Sequence, residues 1–200
     1  MNYPIYNRIL FLVICSHILL VVACNSNTKS EENDIENKWY GKQIILPNQK
    51  ENALKSINQD GLKIVTRING HCYSCLLQLK EWQRLIEDVS LKGTISYYIY
   101  VVVPDSIYFN NVNSLKIRFN YPIIYDPNDE FRKHNDLEED SNLHTMLLDS
   151  TNRVLGIGNP ILNPNILIKY KNIIKRQKDD KKKNVNSNSS NLDSPYFEFF

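Results

Sequence analysis

The sequence predicts an α/β fold in which helices cover both faces of a central mixed β-sheet. Strand-length β-branched runs alternate with segments of helical period along one stretch of about 140 residues, Trp39 to Gln177, the size of a single domain. One run, Thr94–Val103 (TISYYIYVVV), is apolar or aromatic almost throughout, as a strand buried on both faces must be. Near the end, two short runs joined by a turn-forming segment read as a hairpin, which makes the sheet mixed.

Lys42–Pro47 (KQIILP) reads as a short strand stopped by Pro47, and Gly61–Ile68 (GLKIVTRI) as an alternating, β-branched strand. A helix begins at Cys72 and Cys75. Within it Leu76, Leu79, Trp82, Leu85, Ile86 and Val89 form one apolar stripe, with Lys80, Glu81, Arg84 and Glu87 off it. Trp82, and Trp39 ahead of the first strand, are expected to anchor the core. Pro104 ends the buried strand, and Ser106–Asn120 carries helix-compatible Ile107, Val112, Leu115 and Phe119 among several Asn residues. Tyr121–Asp126 (YPIIYD) reads as a strand and Pro127–Asn135 as a short helix, with Asp126 and Asp129 placed to cap it. His144–Ser150 and Thr151–Gly158 make the hairpin. Asn163–Gln177 opens with a capping Asn163 and with Pro164 at the first helical position, and sets Ile166 and Ile173 on one face.

The chain ends speak to compartment. Arg8 is the only charge before Ile9–Ala23 (ILFLVICSHILLVVA), which has the length of a signal-peptide core and is short for a membrane span. Its close, VVAC, resembles the bacterial lipobox, where cleavage precedes a cysteine that becomes lipidated. Residues 1–23 are therefore expected to be a lipoprotein signal peptide and Cys24 the lipidated mature N-terminus. Residues 24–38 read as a polar, acidic tether, 39–177 as the folded domain and 178–200 as a polar, disordered tail. An uncleaved N-terminal anchor is the alternative, and either one holds the domain in the cell envelope, outside the cytoplasm, against a membrane. The formal net charge of +2 falls to +1 without Arg8. No nucleic-acid partner is implied, because Asp179 and Asp180 interrupt the one basic cluster, Lys175–Lys183, which reads as a solvated helix end.

Of four cysteines, Cys15 falls in the signal and Cys24 takes the lipid, so Cys72 and Cys75 stand alone in the folded part. In the segment INGHCYSCLLQLKEW (Ile68–Trp82) they are a redox pair, two metal ligands or a structural disulfide. An exported, oxidising location makes the disulfide plausible. A helix start sets the first thiol beside unpaired backbone N–H groups and the positive end of the helix dipole. In such motifs its pKa drops from about 8.5 to roughly 3.5–7.5. Cys72 is thus the expected nucleophile and Cys75, one turn in, the resolving thiol. His71 either lowers the Cys72 pKa further or is an exposed histidine without a role. His134 reads as a surface residue.

On these residues the sequence resembles the thioredoxin superfamily, and within it the TlpA-like lipid-anchored thiol–disulfide oxidoreductases. The resemblance covers about Trp39–Ile174. WYGKQIILP resembles that group's opening strand, KIVTRINGHCYSC its redox loop, YPIIYDPNDEFRKHN its added strand–helix element and LHTMLLDSTNRVLGIG its last hairpin. It implies a thioredoxin-like fold, dithiol–disulfide exchange at Cys72 and Cys75, and substrate contacts from His71, Tyr73, Ser74, His144 and Thr145. It implies no cofactor. The implied partners are disulfide-bearing proteins or small thiols and a redox donor or acceptor protein.

The sequence departs from that pattern in three places. The family's cis-proline, commonly followed by Thr, is replaced by His144 before Thr145. A trans peptide is expected there, since a cis bond before a non-proline residue costs about 2.5–4 kcal/mol. The buried carboxylate six residues before the nucleophile is Thr66, and the preceding tryptophan is His71. These departures support a second reading, a thioredoxin-like binding lipoprotein. In it Cys72 and Cys75 form a structural disulfide, or bind a metal with His144 and His71.

Overall fold

The computed structural model describes residues 35–47, 61–88, 91, 93–139 and 143–189. The chain divides into two compact units, 1–40 and 41–200. In the first, 35–39 form a helical turn, and the Tyr40 N–H donates to the Glu36 carbonyl at 2.9 Å. The expected signal peptide, Cys24 and most of the tether lie outside the described residues, as does the chain from residue 190. Among the described residues no helix is long and apolar enough to cross a membrane.

The second unit holds a five-stranded mixed sheet. Its strands are β1 (Leu62–Asn69), β2 (Ile95–Val102), β3 (Ile124–Tyr125), β4 (Thr145–Leu148) and β5 (Val154–Ile157), in the order β3-β2-β1-β4-β5. β1, β2 and β3 run parallel; β4 and β5 form the antiparallel hairpin. β1 and β2 lie in the middle, and their side chains are buried on both faces, which is why neither shows a clean solvent-facing alternation. Lys63, a polar exception in β1, is satisfied by the Ser150 carbonyl (2.8 Å) and Asn152 Oδ1 (2.7 Å).

Alternation divides the core into two layers. On one face Ile64, Ile68, Tyr97, Ile99, Val101 and Leu147 pack with Leu76, Leu79, Trp82 and Leu85 of α1 (Tyr73–Leu77) and α2 (Leu79–Glu87). The same layer takes Phe109 of α3 (Ser106–Val112). The opposite face carries Val65, Tyr98, Tyr100 and Met146. There α4 (Glu130–His134) stacks Phe131 on Tyr100, with ring centroids 4.6 Å apart. Trp82 is buried in the first layer, as expected. The final helix, α5 (Pro164–Ser189), starts under the Asn163 side chain, which accepts the Asn165 N–H at 2.9 Å, and buries Ile166, Tyr170 and Ile174 at four-residue steps in the first layer.

Four local departures have physical causes. The helix expected from the cysteines onward is split at Gln78, whose N–H turns back to the Cys75 carbonyl, while the apolar stripe continues; Val89 lies outside the described residues. Lys42–Pro47 is not a strand. It makes one bridge, Gln43 to Arg153, and the Asn135 amide replaces a neighbouring strand by accepting from Ile45 N–H (2.7 Å) and donating to the Ile45 carbonyl (2.8 Å). Ser106–Asn120 is α3 followed by a π-helical turn, Asn113–Ile117, closed by the Asn113 amide on the N–H and carbonyl of Phe119. Of the two aspartates expected to cap α4, Asp126 does so, accepting from Glu130 N–H (2.8 Å) and Phe131 N–H (2.9 Å), whereas Asp129 pairs with arginines.

Candidate active site

β1 ends by delivering the chain to the carboxyl edge of the sheet, where open α/β sheets gather their ligands. Gly70 makes the crossing possible: its N–H donates to the Val102 carbonyl at 2.8 Å, and a Cβ there would lie 2.1 Å from Val103 Cγ1 and 2.6 Å from that carbonyl oxygen. Asn69 sets the turn, its carbonyl accepting Cys72 N–H (3.3 Å) and its Oδ1 accepting His71 N–H (3.0 Å). This turn went unread in the sequence, although Asn-Gly before a helix is a turn signal.

Cys72 is the N-cap of α1, with φ −100° and ψ 110°. Its Sγ accepts the Cys75 N–H at 3.3 Å and lies 3.0 Å from Ser74 Oγ. Cys72 and Cys75 form a disulfide, with Cα atoms 5.2 Å apart. Both cysteines are half-buried, His71, Tyr73 and Ser74 are exposed, and Leu76 beneath them is fully buried and pins the turn to the core. The first turn thus leaves the cysteine pair half-exposed, with the Cys75 N–H pointing at the Cys72 sulfur.

His144 and Thr145 take a different position from the exposed trio: both are buried. Thr145 shares the α1–α2 face of the sheet with Thr66, and their hydroxyls meet at 2.8 Å. A neutral hydroxyl pair therefore occupies the buried position six residues before Cys72. His144 directs Nε2 to the Glu138 carbonyl and Nδ1 to Arg67 Nη1 at 3.3 Å. Burial pushes its pKa below the usual histidine value; the bond to Glu138 opposes this and the Arg67 charge adds to it. A neutral ring that donates from Nε2 and accepts at Nδ1 satisfies both contacts. The described residues contain no cis peptide bond, and no group of three or more His, Cys, Asp or Glu side chains gathers among them.

Two neighbours of the site were not picked out in the sequence. Arg67 is clamped by Asp129, which also holds Arg132. Lys116, in the π-helical turn, sets its ammonium 5.2 Å from the centre of the Tyr73 ring, so a segment far along the chain stands beside the cysteine turn. The same segment is tied to α2 through Asn120 N–H and Gln83 Oε1 (3.0 Å).

No protein-family profile matches the chain, and no curated protein sequence does. Solved structures do. The C-terminal domain of a protein named as a thiol–disulfide oxidoreductase from Bacteroides thetaiotaomicron matches with TM-score 0.52 and 14% identity, over 68% of this chain and 97% of that one. A thioredoxin-like protein in its oxidised form matches at TM-score 0.49 and 13% identity over 70% and 98%. The exposed lipoprotein thioredoxin of Streptococcus pneumoniae matches at 0.45 and 10% over 58% and 87%. With a β3-β2-β1-β4-β5 mixed sheet, helices on both faces and a Cys-Xaa-Xaa-Cys pair opening the helix after a central strand, the chain has the thioredoxin-like fold.

Proposed function

We propose that the chain is an exported, lipid-anchored thiol–disulfide oxidoreductase. The observation that carries this reading is the Cys72–Cys75 disulfide on the first turn of α1, half-exposed, with the Cys75 N–H on Cys72 Sγ. That N–H and the Ser74 hydroxyl stabilise negative charge on Cys72 better than on a free thiol. In the reducing direction, Cys72 thiolate attacks one sulfur of a substrate disulfide. The substrate S–S bond breaks, its other sulfur leaves as thiolate, and Cys72 is held in a mixed disulfide. Cys75 then gives up its proton and attacks Cys72 Sγ, re-forming the internal disulfide and releasing the second substrate thiolate. Two electrons pass to the substrate, and a dithiol partner returns them by the same exchange; disulfide formation is the reverse. Thr66 is no base, so water takes the Cys75 proton, which slows resolution relative to a site with a carboxylate there.

His71, Tyr73 and Ser74 are the substrate-facing residues in this reading, and His144 and Thr145 position the adjoining strand end. Cys24 carries the lipid, the membrane is a partner through it, and the domain works in the cell envelope on disulfide-bearing proteins or small thiols.

Insulin disulfide reduction by the full chain tests the chemistry. Cys72→Ser is expected to abolish turnover and Cys75→Ser to accumulate a mixed disulfide. Full activity in Cys72→Ser would falsify the assignment. Incorporation of labelled palmitate, lost in Cys24→Ser, tests the anchor.

A second reading, a binding lipoprotein with a structural disulfide, is favoured by the Thr66–Thr145 hydroxyl pair. A bond still oxidised at a poise below about −300 mV supports it. The metal variant of that reading loses its proposed His144 ligand, because both ring nitrogens are engaged.

A further inference from the structure

We infer that the π-helical turn Asn113–Ile117 is a specificity wall beside the cysteine pair, and that through Lys116 it selects substrates carrying a carboxylate next to their disulfide. The inference rests on the exchange reading above and adds the class of substrate.

Three observations build the wall. First, its base is fixed. Ile117 and Phe119 are buried in the core, Asn113 clamps both backbone groups of Phe119, and Gln83 holds the Asn120 N–H. A π-helical turn inserts an extra residue and re-aims the side chains around it. Second, what it presents outward is apolar and cationic. Leu115 is 77% exposed, Lys116 and Arg118 are exposed, and Tyr73, the residue after the nucleophile, is 45% exposed under the Lys116 ammonium. Third, the cations are available. Among the described residues neither Lys116 nor Arg118 pairs with a carboxylate, in contrast to Arg67, Arg84 and Arg132.

An ammonium resting on an exposed ring is held weakly, and a carboxylate competes well for it. A polypeptide docking on Cys72 has the exposed Tyr73 beside it. An apolar residue beside its cysteine meets the exposed Tyr73 ring, and an acidic one draws Lys116 off that ring. A lysine at the same place is repelled. The effect acts on encounter and docking, so it depends on salt.

The test uses the full chain and two disulfide-linked peptides that differ only in having Glu or Lys beside each cysteine, with reduction rates followed at low and high ionic strength. The wild type is expected to reduce the acidic peptide about fivefold faster at low salt, with the preference vanishing near ~1 M salt. Lys116→Glu is expected to reverse the preference, and circular dichroism checks its fold. Equal rates on both peptides overturn the inference and leave the exchange reading intact. A preference unchanged in Lys116→Glu also overturns it. Turnover of neither peptide overturns the exchange reading and this inference with it.

Discussion

Arg67 shows how much one residue organises around the end of β1. Its side chain is only 12% exposed, yet it carries a charge, which survives because Asp129 takes it with two oxygens, one of them 2.8 Å from Nη2. Burial pushes the Asp129 carboxyl upward, but hydrogen bonds from Arg67 and Arg132 and the charges of both outweigh it and hold the carboxyl below its usual value. Asp129→Asn leaves two guanidinium groups short of a counter-charge and is expected to cost about 2 kcal/mol in denaturant unfolding. His144 leans on the same arginine. Its pKa is depressed from 6.5 in the folded chain, so the unfolded chain takes a proton more readily. Its share of stability is fully present above pH 6.5 and drains away as the pH falls from there to the folded value. Asp129 loses its share only below 3.8, so the two effects separate. Unfolding midpoints measured at pH 7.5 and 5.5 are expected to fall for the wild type and to change less for His144→Gln. A pH response identical in both would remove His144 as its source. Gly70→Ala tests packing: the added methyl meets the backbone of Val102 as well as the Val103 side chain, and a loss of about 2–3 kcal/mol is expected.

At the scale of elements, legibility follows the source of each hydrogen bond. α2 and α5 were readable because an apolar period decides them and burial follows it, whereas β1, β2 and the hairpin were readable from β-branched, apolar runs that are buried on both faces. Lys42–Pro47 and Tyr121–Asp126 have strand-like composition. The first became a side-chain-satisfied segment on Asn135, and the second kept only the two-residue β3. An amide that imitates a neighbouring strand leaves no period in the sequence. Asn135→Ala removes both bonds to Ile45 and a third to the Phe131 carbonyl. It should lower stability by about 2 kcal/mol and raise hydrogen exchange locally at Ile45. Unchanged exchange there would show the segment to be held by something else. The cysteine pair was readable from spacing, since both thiols sit in one turn. Arg67 with Asp129, and Tyr73 with Lys116, meet only because the sheet brings distant segments together. Thr66 could be located from spacing, but its Thr145 partner depends on β1–β4 register.

For the folded unit as a whole, the question is whether the disulfide holds the structure or the structure holds the disulfide. The Cys72–Cys75 bond closes a link of sequence separation 3, and a loop that short contributes about 2 kcal/mol by chain entropy. Two apolar layers, one on each face of the sheet, and a total stability of order 5–15 kcal/mol for a domain this size stand against that small contribution. α1 does not depend on the bond either: Leu76 is seated in the core, and the Leu76 N–H donates to the Cys72 carbonyl at 3.0 Å. The exchange proposed above would require this arrangement, because a pair that passed through the dithiol form in each cycle could not be allowed to unfold its domain. Reduction is therefore expected to leave the far-ultraviolet circular dichroism unchanged and the melt cooperative, with Tm lowered by ~5–10 °C. Loss of the cooperative transition on reduction would make the pair a structural staple, and the Cys75 N–H on Cys72 Sγ would then serve capping alone.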